Sequence, residues 1–108
     1  MKLGIILESN NPEHIWNTLR LGITSLSAQH SVRIFLMNEG VEIKDIPDAE
    51  HFDISKKLEE FKKLGGQVLA CGTCLEIRHK AEDQSCPVST MRDLVKMIEE
   101  SDKVLVFG

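Results

Sequence analysis

Apolar residues come in short runs separated by segments of helical spacing. Leu3-Gly4-Ile5-Ile6-Leu7 is the first run, and Val32-Arg33-Ile34-Phe35-Leu36-Met37 is the second. Val68-Leu69-Ala70 is the third, and Val104-Leu105-Val106-Phe107 closes the chain. Runs that are nearly continuous, without strict alternation, predict strands covered on both faces. A further short strand is expected near Cys86-Pro87-Val88, against which stands Pro87, which has no N–H to give a ladder.

Between the runs the spacing changes to three and four. Asn11 as cap, Pro12 at the first position and Glu13 in the first turn start a helix. Ile15, Leu19, Ile23 and Leu26 form its apolar stripe, and Gly22 lets it approach the sheet closely. Asn38 to Phe52 is irregular, with a turn of helix expected within Val41 to Ile46. Ile54, Leu58, Phe61 and Leu64 mark a second helix, capped by Asp53 or Ser55 and ended by Gly65-Gly66. A last helix starts near Ser89 or Thr90 with Met91, Leu94, Val95 and Ile98 facing inward. Strands that alternate with helices predict an α/β fold, three layers α/β/α around a mostly parallel sheet of four to five strands. The 108 residues are expected to form one domain, 1–108.

Composition narrows the class. The net charge is −4, from 17 acidic and 13 basic side chains, and the basic residues are scattered, as in Lys56-Lys57-Leu58-Glu59-Glu60. That disfavours nucleic acid and membrane surfaces as partners. The first apolar run ends at Glu8, too short for a signal peptide's apolar region, so a cytoplasmic protein is expected.

The chemistry concentrates in Val68-Leu69-Ala70-Cys71-Gly72-Thr73-Cys74-Leu75-Glu76-Ile77-Arg78. A strand ends at a cysteine, turns on Gly72 and enters a helix carrying a second cysteine. A thiol there meets the amides of Thr73 and Cys74, which favour the thiolate, so a lowered thiol pKa is expected for Cys71. Arg78, two turns along the same face, is placed either to support that charge or to be solvated. Ligands of open parallel sheets bind beyond the carboxyl ends of the strands. That edge gathers Cys71 with Asn10, Asn38 and Glu39 as crevice lining.

The pair allows several readings. One is a single nucleophile, Cys71, with Cys74 packed inward; another is a dithiol–disulfide oxidoreductase using both. A metal site with His79 and Cys86 would need C-x2-C-x4-H-x6-C, which matches no common zinc spacing, so no metal and no organic cofactor are expected. Cys86 is either incidental or able to resolve an oxidised Cys71. Cys71 can equally be a small buried apolar residue, in a non-catalytic oligomeric binding subunit. His14, His30 and His51 show no ligand spacing, and Ser9-Asn10-Asn11 is explained by capping. Trp16 lies off its helix's stripe, at a subunit interface or a core boundary.

The cysteine segment resembles that of the DsrE/DsrF/TusD-like (DsrEFH) sulfur-relay family. Val88-Ser89-Thr90-Met91-Arg92-Asp93-Leu94, followed by Ser101-Asp102-Lys103-Val104-Leu105-Val106-Phe107, is similar to that family's closing helix and strand. The sequence departs from it by carrying Arg78-His79-Lys80 and Ala81-Glu82-Asp83 where relatives tend to have a glycine turn. The resemblance implies a DsrE-like α/β domain and a homo-oligomer, often a trimer or hexamer. It also implies sulfur carried as a persulfide on Cys71 and exchanged with donor and acceptor proteins. Gly72, Thr73, Cys74 and Arg78 are then supporting residues.

Overall fold

Among the described residues, five strands, all parallel, form one sheet in the order β4-β3-β2-β1-β5. They are β1 (Lys2–Leu7), β2 (Ser31–Leu36), β3 (Gln67–Cys71), β4 (Val88–Ser89) and β5 (Lys103–Phe107). The helices are α1 (Pro12–Ser27), α2 (Ile54–Lys63), α3 (Gly72–Ile77) and α4 (Met91–Glu100), with a 3-10 segment at Asn38–Asp45. The structure, a computed structural model, describes residues 1–79 and 87–108.

Strand register sets the layers. Ile5 pairs with Ile34, and Ile34 with Val68, so one apolar row crosses the sheet. Side chains alternate along a strand, so Gly4 points to the opposite face from Leu3 and Ile5. A methyl group on Gly4 would sit 2.8 Å from Ser101 and 3.1 Å from Met97, which places α4 over that face. Helices α1 and α2 pack together on the other face, over Leu3, Ile5, Leu7, Ile34 and Val68, all buried.

The helix starts follow from local chemistry. Asn11 Oδ1 accepts from the amides of Glu13 and His14 at 2.9 and 3.4 Å, as its cap position predicts. Thr90 and Asp93 form a capping box at α4. Helix α2 departs from expectation: neither Asp53 nor Ser55 caps it with a side chain. The Asp48 carboxylate instead takes the Ser55 amide at 2.9 Å and its hydroxyl at 2.5 Å, while Asp53 accepts from Trp16 Nε1. A carboxylate seven residues upstream serves because the chain doubles back before α2, which spacing rules do not register. Gly65, at φ 97°, ends the helix as expected.

Three packing expectations are corrected. Gly22 permits close approach to Phe61 of α2 rather than to the sheet: a methyl group there would lie 2.6 Å from the ring. Leu64, expected inside, is exposed because α2 has ended by then. In α4 the buried residues are Leu94 and Met97, while Met91, Val95 and Ile98 are exposed. Met97 packs into the space left by Gly4, and that rolls the rest of the apolar stripe outward. Trp16 is half-buried at the core boundary, edge-on to Phe52 and under Arg20.

Candidate functional site

Cys71 is both the last residue of β3 and the cap of α3. Its backbone is extended, at φ −62° and ψ 114°, so the chain leaves the sheet there and its sulfur turns back over the first turn. The Cys74 amide donates to Cys71 Sγ at 3.4 Å. Gly72 is needed for a different reason from the turn expected of it. A methyl group there would meet Val88 at 2.9 Å, so its bareness lets β4 close against β3, with Ser89 paired to Cys71. Thr73 is exposed, and its amide also supports the Cys71 sulfur.

Cys74 has a donor from another element. The Asn38 amide donates to Cys74 Sγ at 3.2 Å. Asn38 is in the left-handed region, φ 51°, where asparagine is better tolerated than most residues. Its side chain donates to Glu8 Oε1 at 2.7 Å, tying the start of the 3-10 segment to the end of β1. Gly40 lies flat on the same strand end, where a methyl group would be 2.1 Å from the Leu7 carbonyl oxygen. The segment is thus fixed with the Asn38 amide aimed at the thiol.

Arg78 is neither folded back onto a thiolate nor simply solvated. Its Nε donates to Glu42 Oε2 at 2.9 Å and its Nη1 to the Cys74 carbonyl at 3.2 Å. Asn10 Nδ2 reaches Glu42 Oε1 at 3.5 Å. Glu42 therefore links two of the expected residues, and sequence reasoning missed it. It is 36 residues from Arg78, and only the path of the 3-10 segment brings the two together. Glu39 is exposed; the segment presents the Asn38 amide and the Glu42 carboxylate to the site instead. His79 is exposed. Cys86 lies outside the described residues.

The model of the DsrE/DsrF-like family matches residues 1–107. The chain belongs to the DsrE/DsrF-like family. An uncharacterised protein of Methanocaldococcus jannaschii is 33% identical over 114 residues, covering 99% of this chain and 100% of its own. Another, from Methanopyrus kandleri, is 33% identical over 100 residues, covering 88% and 83%. Among solved structures, the ychN protein from E. coli matches with TM-score 0.83 at 25% identity, over 99% of this chain and 100% of that one. A conserved protein of unknown function from Bacteroides thetaiotaomicron matches in fold, with TM-score 0.78 at 20% identity, over 97% and 93%.

In this DsrE/DsrF-like chain the electrostatics of the first thiol differ from expectation. Burial pushes the Cys71 thiol up, and its hydrogen bond with the Cys74 side chain adds to the rise. The amides of Cys74 and Thr73 act in the opposite direction and are outweighed. Sequence reasoning counted the amides and not the desolvation, which penalises an anion beneath β4 and α3. Cys71 is 3% exposed and Cys74 9%. The site is therefore a protonated thiol in contact with a second, slightly more open one, both supported by amides. Such a pair can exchange sulfur or close to a disulfide. Among the described residues no group of three or more His, Cys, Asp or Glu side chains is gathered to hold a metal, and no helix is long and apolar enough to cross a membrane.

Proposed function

We propose that this DsrE/DsrF-like protein is a small cytoplasmic sulfur carrier, with Cys71 as the residue that accepts and hands on sulfur as a persulfide. The observation that carries the reading is the sulfur of Cys71 at the carboxyl end of β3, receiving the Cys74 amide at 3.4 Å. Family membership supports it. The Cys71 sulfur attacks the outer sulfur of a donor persulfide, and the S–S bond of the donor breaks. The donor leaves as a thiol, taking the Cys71 proton. An acceptor thiolate then attacks the outer sulfur of the Cys71 persulfide, and Cys71 leaves as the thiolate. Donor and acceptor proteins are the partners of these two steps.

The same proposal includes a homo-oligomer, a trimer or hexamer. Met91, Val95 and Ile98 are exposed along α4 at helical spacing. Val106 pairs with Ile6, which shares the sheet face of Gly4, so Val106 belongs to the α4 side and is 60% exposed. Apolar side chains grouped on one face favour association with a second copy.

Incubation with glutathione persulfide, followed by intact-mass measurement and peptide mapping, tests the carrier. One added sulfur atom on Cys71 is expected. No adduct on Cys71 in a protein whose thiol can be alkylated would sink the reading. A second reading, a dithiol–disulfide oxidoreductase, is favoured by the placement of the two cysteines at the cap and third positions of one helical turn. It requires a reversible two-electron couple without any sulfur donor.

A further inference from the structure

We propose that Cys74 discharges the Cys71 persulfide as sulfide, so that the site reduces the sulfur it carries and closes as a Cys71–Cys74 disulfide. This rests on the carrier reading and goes beyond it, since a relay alone needs one cysteine.

Three observations lead to it. Cys71 and Cys74 occupy the cap and third positions of one helical turn, and the Cys74 amide contacts the Cys71 sulfur at 3.4 Å. The inner sulfur of a Cys71 persulfide is that same atom, so Cys74 is adjacent to the electrophile it would attack. The Cys74 sulfur also receives the Asn38 amide at 3.2 Å, from an element with no part in α3. That amide supports negative charge on Cys74 as it attacks. Finally, Arg78 holds the Cys74 carbonyl at 3.2 Å while paired with Glu42 at 2.9 Å, which fixes the turn carrying the second thiol. Arg78 and Glu42 are positioning residues.

The step balances without an oxidant. The Cys74 sulfur supplies the electron pair of a new bond to Cys71 Sγ. The bond between Cys71 Sγ and the outer sulfur breaks, and the outer sulfur leaves with its bonding pair. The proton of Cys74 goes with it, so Cys71–S–SH and Cys74–SH become Cys71–S–S–Cys74 and hydrogen sulfide. The oxidising equivalent came from the donor persulfide. Another turnover needs a dithiol reductant, which returns both thiols and leaves as its own disulfide.

The test mixes the reduced full chain, without oxygen, with one equivalent of glutathione persulfide. Sulfide release, adduct mass and disulfide position are followed in wild type, Cys74→Ser and Cys71→Ser. Wild type should release about one sulfide per chain as the mapped Cys71–Cys74 disulfide forms. Cys74→Ser should keep the sulfur on Cys71 with a lifetime about tenfold longer or more, because the neighbouring thiol acts at high effective concentration. Equal adduct lifetimes in wild type and Cys74→Ser, with no sulfide, overturn the inference and leave the carrier standing. A persulfide that accumulates on Cys74, in wild type or in Cys71→Ser, also overturns it. Absence of any adduct on Cys71 in both wild type and Cys74→Ser, with neither sulfide nor disulfide formed, defeats the carrier reading itself. The wild-type time course decides the matter even where a variant folds poorly.

Discussion

The backbone amide of Asn38 is 3.2 Å from the sulfur of Cys74, and Asn38 itself sits in the left-handed region, φ 51°, where the chain leaves β2 for the 3-10 segment. The conformation is tolerable because asparagine is short and its side chain is anchored on Glu8. Asn38→Val is expected to destabilise the fold by about 1–2 kcal/mol from the left-handed backbone alone. Asn38→Gly removes that strain and loses the Glu8 contact, so it should fall between wild type and Asn38→Val. Urea unfolding of the three proteins checks the order; equal midpoints for the Val and Gly variants would contradict it.

Burial and the Cys74 side chain both hold the proton on Cys71. Its alkylation rate should rise with a midpoint above the ordinary thiol range, and Cys74→Ala should bring that midpoint down, since the Cys74 side chain is one of the causes of the rise. The stability consequence has a definite sign. The folded state binds this proton more tightly than the unfolded state, so stability is highest below the ordinary thiol value. It is lost as pH rises from there through the raised value. Thermal melts of wild type and Cys71→Ala from neutral to alkaline pH should diverge in that window, with wild type declining more steeply.

The strand–Cys–Gly–helix segment could be read from sequence because strand end, cap and helix lie within one short consecutive stretch, Val68 to Arg78. The parallel sheet was also legible, since near-continuous apolar runs such as Ile5-Ile6-Leu7 and Ile34-Phe35-Leu36 need cover on both faces. What was hidden depends on distant pairs. Glu42 meets Arg78, the Asn38 amide meets Cys74, and Asp48 caps α2, each by the path of an irregular segment. The sign of the Cys71 shift was hidden for a related reason: local amides are visible in sequence, whereas desolvation comes from elements packed above it.

Phe61 is held between two glycines. Methyl groups on Gly22 and Gly66 would come within 2.6 and 2.4 Å of its ring. Gly22→Ala is expected to cost about 1–3 kcal/mol, because the ring is fully buried and has little room to retreat. Phe61→Leu leaves space for that methyl group, so the double variant should be more stable than the sum of the single changes predicts. A double-mutant cycle by urea unfolding measures it, and strict additivity would show that the ring yields freely.

The Thr90–Asp93 box begins α4, the helix that covers the Gly4 face. Thr90→Ala should cost about 0.5–2 kcal/mol near neutral pH. The Thr90 amide, at 2.8 Å, and then its hydroxyl hold the Asp93 carboxyl below the ordinary carboxylate value. That contribution is present above the ordinary value and is lost as pH falls through the lowered one. Acid unfolding should therefore narrow the gap between wild type and Asp93→Asn, and a gap unchanged down to low pH would remove the carboxylate from the account.

Val95 is exposed to 53% in the middle of α4, between Met91 and Ile98, and Val106 of the edge strand lies on the same side. Leu94 and Met97 already complete the packing of α4 on its own sheet, so Val95 has no role in the isolated fold. A glutamate there should leave helix content and monomer stability within about 0.5 kcal/mol, as for surface substitutions in general. In an oligomer closed through this face, the same charge would be buried in every copy and desolvated without a partner. Sedimentation equilibrium should therefore show Val95→Glu as a smaller species than wild type, with an unchanged circular dichroism spectrum. Wild type that sediments as a monomer, or a variant of unchanged mass, would mean that copies of this chain do not meet through α4.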